Sequence, residues 1–157
     1  MTPLFKKMNF KEQEVIFAIH APESFSVELK AMEKVAAIKT SLKGAKTIPF
    51  LLAFVTKQKE VDELAEQIGK LVKADEVIWF VYPKGTSKKY TCEFNRDNGW
   101  KVLGKLGFEP VRMVAVDEDW SALRFRKAEH IKTMTRSFAM SDKGKGKIAK
   151  TVKKKAK

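Results

Sequence analysis

Two segments of the chain are apolar at every position, FLLAFV (50–55) and VIWFVY (77–82). A strand with one face in water alternates apolar and polar residues, so an unbroken apolar run of this length is typical of a strand covered on both faces. Between the two runs, six apolar residues recur at helical spacing: Val61, Leu64, Ala65, Ile68, Leu71 and Val72. Two buried strands joined by an amphipathic helix predict a parallel sheet with helices packed on it.

The other segments continue this alternation of strand and helix. They are a strand in VIFAIH (15–20), a helix in PESFSVELKAMEK (22–34) with Pro22 in its first turn, a weaker strand in VAAIKT (35–40), and a helix carrying Trp100, Leu103 and Leu106. Thr56 and Asn95 are predicted to cap the second and third helices, and Gly107 is predicted to end the third.

The last two predicted strands are VRMVAV (111–116) and WSALRFR (120–126), and only residues 117–119 separate them. A connection of three residues cannot make a parallel crossover, so these strands are predicted to form an antiparallel hairpin with acidic residues in its turn. In the second strand, apolar residues alternate with Arg124 and Arg126, which indicates an edge strand with one wet face.

We therefore expect an α/β fold, a three-layer Rossmann-like sandwich whose mostly parallel sheet ends in a C-terminal antiparallel hairpin. Right-handed crossovers predict the strand order 2-1-3-4-6-5. The α/β domain is predicted to span residues 1–128. A short helix is predicted over residues 129–141, and the lysine-rich residues 142–157 are predicted to be disordered.

Positive charge is concentrated at the end of the chain. The formal net charge is +13, and about half of it comes from eight lysines: Lys143, Lys145, Lys147, Lys150, Lys153, Lys154, Lys155 and Lys157. Such a segment can bind phosphate backbones by releasing counterions. Only five of the 32 basic residues are arginine, the usual bidentate reader of guanine, so contact independent of base sequence is favoured.

The leading hypothesis from this charge is a non-enzymatic protein that contacts nucleic acid or another polyanion non-specifically. The C-terminal lysines, together with Lys84, Lys88 and Lys89, would make the contact. A solubilising segment without a dedicated partner is the alternative use of the same C-terminal lysines.

Several classes of protein are not expected. The longest apolar run, residues 48–55, is too short to span a bilayer, and the N-terminal residues do not resemble a signal peptide. The single cysteine, Cys92, cannot form an internal disulfide, and no His or Cys pair has metal-ligand spacing. We expect a cytoplasmic protein with no membrane contact and no metal, and the sequence leaves its oligomeric state open.

Four stretches together resemble a known family. They are MTPLFKK (1–7), HAPESF (20–25), IWFVYPKGTSKK (78–89) and VAVDEDWSALRFRK (114–127). In this order they resemble a family of small bacterial proteins classed as a domain of unknown function. Its members have a Trp/Tyr-Pro-Lys-Lys/Gly loop after the fourth strand and a closing Val-Asp-Glu-x-Trp-Ser-x-Leu hairpin. The resemblance covers roughly residues 1–128 and implies a fold without an established activity.

The expected topology is also similar to a shortened Rossmann-like methyltransferase domain, which ends in the same kind of hairpin. An S-adenosylmethionine or dinucleotide site normally has a glycine-rich turn after the first strand and an acid near the end of the second. Here the turn is HAPES (20–24), which has no glycine, and KTS (39–41) stands where the acid is expected. We therefore predict no cofactor of this type.

Ligands usually bind such sheets at the carboxyl ends of the parallel strands. The candidate residues at this edge are His20, Glu23, Lys84, Asp117, Glu118 and Trp120. A histidine beside a carboxylate can act as a general base, and a nearby lysine can hold an anion. The sequence therefore predicts that His20, Lys84 and the hairpin acids can approach one another.

Each candidate also has a structural explanation. His20 can end a strand and satisfy a local hydrogen bond, the acids can form a solvated turn, and Trp120 can pack in the core. The loop YPKGTSKK (82–89) lacks the spacing of a P-loop and needs no ligand. The functional alternative to polyanion contact is a degenerate methyltransferase-like domain that binds a small ligand at this edge.

Overall fold

The computed structural model describes residues 1–95 and 97–131. Six strands form one sheet: β1 (Val15–Ile19), β2 (Ala37–Lys39), β3 (Phe50–Phe54), β4 (Val77–Pro83), β5 (Phe108–Ala115) and β6 (Trp120–Lys127). Their order across the sheet is β2-β1-β3-β4-β6-β5, as predicted. The first four strands are parallel, and β6 runs antiparallel between β4 and β5. The predicted fold class and hairpin are confirmed.

Helices lie on both faces of this sheet. They are α1 (Pro3–Lys7), α2 (Ser26–Met32), α3 (Gln58–Leu71) and α4 (Lys101–Lys105), with 3₁₀ turns at Glu23–Phe25 and Ala128–His130. We name the two faces by the helices that pack on them, the α1–α2 face and the α3–α4 face. Alternate residues of the inner strands enter the two cores, as expected of strands that are covered on both sides.

The N-terminal helix α1 completes the core of the α1–α2 face. Phe5 is fully buried, and the indole Nε1 of Trp79 in β4 donates a hydrogen bond of 2.9 Å to the carbonyl oxygen of Met8. Thr2 caps the helix, since its Oγ1 accepts a hydrogen bond from the backbone N–H of Phe5. The sequence predicts no element for this segment, because five residues are too few to show a helical period.

On the α3–α4 face, α3 buries the stripe of residues that the sequence predicts, among them Leu64, Ala65 and Ile68. Trp100 directly precedes α4, and its ring packs against that of Phe80 with 5.7 Å between the ring centroids. Together these elements cover the sheet beside the carboxyl ends of β3 and β4.

Three local predictions were wrong. The N-cap of α3 is Lys57 instead of Thr56, whose hydroxyl donates to Glu60. The helix predicted to begin at Asn95 starts at Lys101, because the Asn95 side chain instead accepts a hydrogen bond from Asp97 in a tight turn. The strand β6 is internal, and β5 is the edge. The alternation of apolar residues with arginines in β6 indicates only that one face of the strand is partly solvated, and an internal strand can also have such a face.

The predicted helix over 129–141 overlaps the described residues only at the 3₁₀ turn Ala128–His130. Its remainder and the lysine-rich residues 142–157 lie outside the described residues. Over the ranges 1–95 and 97–131, none of the helices has the length and apolarity that crossing a bilayer requires. The same ranges contain no group of three His, Cys, Asp or Glu side chains placed to hold a metal ion.

Candidate functional site

The carboxyl ends of β1, β3, β4 and β5 lie at one edge of the sheet, as the parallel order requires. His20 follows β1 directly and has a backbone φ of 57°, in the left-handed region. Few residues other than glycine adopt this conformation, although histidine does so more often than most. A non-glycine residue held in the left-handed region is a recognised mark of turns and functional sites.

The His20 side chain pairs with Glu60 in the first turn of α3. The ring Nδ1 lies 3.5 Å from Glu60 Oε2, the distance of an ion pair when the ring is protonated. The histidine side chain is 61% exposed and the glutamate side chain 29% exposed. The pair therefore combines a held carboxylate with an imidazole that solvent or a ligand can reach.

Glu60 is fixed by hydrogen bonds at its other oxygen. Oε1 accepts from the backbone N–H of Thr56 at 2.9 Å, from that of Lys57 at 3.0 Å and from the Thr56 hydroxyl at 3.2 Å. Partial burial raises the pKa of Glu60, but these hydrogen bonds and the nearby His20 together lower it by more, so the pKa lies below its ordinary value. Glu60 is consequently ionised at neutral pH and presents a fixed negative charge to His20.

The segment 92–94 runs beside this pair. The backbone N–H of Glu93 donates to the Thr56 carbonyl at 3.0 Å, and Glu93 Oε1 accepts from the backbone N–H of Gln58 at 2.9 Å. Partial burial raises the pKa of the Cys92 thiol and outweighs a backbone hydrogen bond from Phe94, and the charges of the nearby glutamates raise it further. Cys92 therefore stays protonated and is a poor nucleophile.

The hairpin acids have structural roles. Asp117 Oδ1 accepts hydrogen bonds from the backbone N–H groups of Asp119 at 2.8 Å and Trp120 at 2.9 Å, an arrangement typical of an Asx turn. Among the described residues, the ion pair of His20 goes to Glu60, and none is formed with Asp117 or Glu118. The structure thus supplies the histidine with a carboxylate, but from a different element than the sequence predicts.

The loop after β4 is bound to the hairpin. The backbone N–H of Lys84 donates to the Asp119 carbonyl at 2.7 Å, and the Ser87 hydroxyl donates to Asp119 Oδ1 at 2.8 Å. Lys88 and Lys89 are exposed. These contacts hold the loop as a closed turn and leave the side chains of Lys88 and Lys89 to solvent.

Trp120 lies under this loop and is 96% buried by its neighbours. Its ring packs 4.8 Å from the ring of Tyr90 and 5.4 Å from that of Phe54, between centroids. The indole Nε1 has no hydrogen-bond acceptor among the described residues. Glu23, the remaining candidate, is exposed in the 3₁₀ turn after His20.

Sequence reasoning missed Glu60, although a signal was present. A glutamate three residues into a helix commonly reaches back to the backbone N–H of the N-cap residue. Glu60 stands three residues after Lys57, the N-cap of α3. A cap at Thr56 would put Lys59 at this third position, so the predicted cap gives no reason to place Glu60 beside His20.

Comparisons with known proteins support the fold. No family model matches the chain, and no curated protein matches its sequence. Among solved structures, a putative type 11 methyltransferase from Sulfolobus solfataricus is similar with a TM-score of 0.53 and 9% identity, over 85% of this chain and 92% of that one. A SAM-dependent methyltransferase from Aquifex aeolicus is similar with a TM-score of 0.55 and 10% identity, over 79% of this chain and 87% of that one. The chain shares the fold of these enzymes.

These likenesses correct the leading hypothesis drawn from charge. A non-enzymatic protein that contacts nucleic acid non-specifically is the wrong interpretation, because the described chain has the architecture of methyltransferases over most of its length. Of the lysines that suggested it, Lys84 is half-buried, Lys88 and Lys89 are exposed, and the eight C-terminal ones fall outside the described residues. Net charge indicates how a protein associates and how soluble it is, but it carries no information about the fold. The hypothesis drawn from net charge therefore did not take the fold into account. The fold is the one that the methyltransferase-like alternative requires.

The residues at the edge do not fit S-adenosylmethionine in the usual way. The turn after β1 has no glycine, and Pro22 removes one of its backbone N–H donors. At the end of β2, residues 39–41 supply no carboxylate for a ribose. The helix α2 has only seven residues and begins after a 3₁₀ turn. The fold is that of methyltransferases, while the usual cofactor contacts are missing from these positions.

Proposed function

We propose that this protein is a degenerate methyltransferase-like domain that binds a small ligand at the carboxyl edge of its sheet, beside His20 and Glu60. The observation that carries the proposal is the left-handed conformation of His20, which holds an exposed imidazole 3.5 Å from a fixed carboxylate. The edge where they meet is the one at which sheets of this kind usually bind ligands.

The His20–Glu60 pair indicates which chemical groups a ligand would present to it. A carboxylate next to Nδ1 favours the neutral tautomer with its proton on Nδ1, which leaves Nε2 as a hydrogen-bond acceptor. A ligand with a hydroxyl, amine or amide N–H can donate to that nitrogen. His20 can then remove the donated proton as a general base, while Glu60 stabilises the imidazolium that forms.

A thermal-shift screen of the full chain against nucleotides and S-adenosylmethionine tests this proposal. A ligand that binds only the native state at 100 times its Kd adds about 2.7 kcal/mol of stability. In a chain of this size that corresponds to a rise in Tm of roughly 5–10 °C. We expect no hit with S-adenosylmethionine or a dinucleotide, because the glycine turn and the acid are missing, so the hit is expected among the mononucleotides.

The variant His20→Asn ties a hit to the site. Asparagine tolerates the left-handed conformation, so the turn is preserved while the imidazole is removed. Glu63→Gln, an exposed position of α3 that pairs with Lys59, is the matched control. We expect the hit to be lost in His20→Asn and kept in Glu63→Gln. A panel without any hit, or a hit of equal size in His20→Asn, would contradict the proposal.

A further inference from the structure

Two arginines face each other on the α1–α2 face, away from the edge described above. Arg112 in β5 and Arg124 in β6 are directly opposed in the antiparallel register. Opposed residues of neighbouring strands have side chains about 5 Å apart at Cβ, and like charges in this position destabilise a sheet. The placement of two guanidinium groups side by side therefore needs a reason.

A β-bulge brings the two arginines together. Pro110 pairs with Phe125, and the next pair joins Arg112 to Arg124, so Val111 is an extra residue in β5. With regular pairing, Val111 would oppose Arg124, and Arg112 would lie on the α3–α4 face. Bulges re-aim side chains and are over-represented near active sites. The bulge thus sets Arg112 beside Arg124.

Neither arginine is neutralised by the residues that the structure describes. Arg126, the next arginine on the same face, forms a two-pronged ion pair with Asp75 and also donates to the His130 carbonyl. Over the described ranges, Arg112 and Arg124 have no ion pair, and the buried Nε of Arg124 has no hydrogen-bond acceptor. Among the described residues, the ion pair formed beside these arginines goes to Arg126, and the opposed arginines have none.

The surroundings of Arg124 favour a bound anion. Partial burial lowers the pKa of Arg124, and the charges of Arg126 and Arg112 lower it further, while Asp75 opposes the change only in part. Arg112 is exposed and gives access from solvent. An oxyanion at this position would neutralise the pair and accept hydrogen bonds from both guanidinium groups.

We propose that Arg112 and Arg124 form a binding site for the phosphate group of a small molecule on the α1–α2 face. Two guanidinium charges match a phosphate monoester, which carries about −1.5 to −2 at pH 7, better than they match a carboxylate with a single charge. Neither arginine belongs to the edge that carries the proposed function, so the two proposals stand independently.

Titration of the full chain with inorganic phosphate at constant ionic strength tests the site, with sodium chloride and sodium acetate as reference salts. We expect phosphate alone to raise Tm in a saturating manner. Arg112→Gln and Arg124→Gln should weaken the apparent phosphate affinity on the order of tenfold each, as the loss of one charge-assisted hydrogen bond implies. Because every variant keeps the C-terminal lysines, non-specific binding there is the same in all of them.

Lys70→Gln is the control, since it removes one positive charge from an exposed position of α3 on the other face. Its phosphate midpoint should equal that of the unmodified protein. The proposal is overturned if acetate is as effective as phosphate, or if the two arginine variants respond like Lys70→Gln. Arg112 is exposed, so its variant folds and keeps the test decisive even if Arg124→Gln does not.

Discussion

At the scale of single residues, His20 shows how a backbone conformation and a side chain are selected together. The left-handed region costs an L-residue roughly 1–2 kcal/mol because Cβ approaches the following carbonyl oxygen, and glycine avoids that cost. Glycine would make the easier turn at this position, but it would remove the imidazole that pairs with Glu60 Oε2. Histidine at this position therefore costs some backbone stability, and it places an imidazole at the carboxyl edge.

The cost of the left-handed conformation predicts the relative stability of two variants at the same position. Both His20→Gly and His20→Ala remove the contact with Glu60, but only alanine keeps the Cβ that strains the turn. We expect His20→Ala to be less stable than His20→Gly by about 1 kcal/mol, measured by urea unfolding. Gly85→Ala is the control, because Gly85 is not left-handed and has open space around its Cα. Equal stability of the two His20 variants would show that the turn is not strained.

At the scale of elements, the sequence predicted the features that follow from the spacing of apolar residues and from the length of the connections. The apolar run 50–55 and the stripe along α3 identified buried strands and a helix, and the three-residue hairpin loop identified the antiparallel pairing of β5 with β6. Cap geometry was not predictable in the same way, since Thr56 and Lys57 are adjacent and the choice depends on where Glu60 folds back. The bulge at Val111 depends on pairing with β6, and its one local sign is Pro110, since strands accept proline mainly at edges and bulges.

The beginning of α3 carries a second prediction. Glu60→Ala removes the acceptor of two backbone N–H groups at the helix N-terminus, and we expect it to cost about 1 kcal/mol at neutral pH. The pKa of Glu60 is lower in the folded protein than its ordinary value, so its contribution is present above the ordinary pKa and is lost as pH falls through the folded pKa. The difference in unfolding free energy between the two proteins should therefore shrink on acidification.

Urea unfolding at several pH values measures this difference. Glu63→Ala, three residues further along the same helix at a position exposed to water, is the matched control. Glu63 is 61% exposed, and among the described residues it forms an ion pair with Lys59, so its loss should change stability by less than about 0.5 kcal/mol. Equal effects of Glu60→Ala and Glu63→Ala would mean that the helix start is held by other contacts.

At the scale of the whole molecule, a parallel sheet is stable only when both faces are covered. The α3–α4 face has the long helix α3, but the α1–α2 face has two short helices of five and seven residues. The first ten residues are therefore part of the core, in which the ring of Phe5 packs 5.8 Å from that of Phe50 and 6.2 Å from that of Phe25, between centroids.

This dependence on the N-terminal segment predicts a large effect from one substitution. Phe5→Ala leaves a cavity under α1 and should lower the unfolding free energy by about 3–5 kcal/mol. Val27→Ala, at a 76% exposed position of α2, should change it by less than about 0.5 kcal/mol. Urea unfolding measures both variants, followed by tryptophan fluorescence and by far-UV circular dichroism.

Trp79 and Trp100 lie in the cores of opposite faces, so fluorescence reports on both cores. If the chain unfolds as one unit, the fluorescence and the circular dichroism should change together. If residues 1–10 were only attached to a domain that is stable without them, Phe5→Ala would leave the transition unchanged.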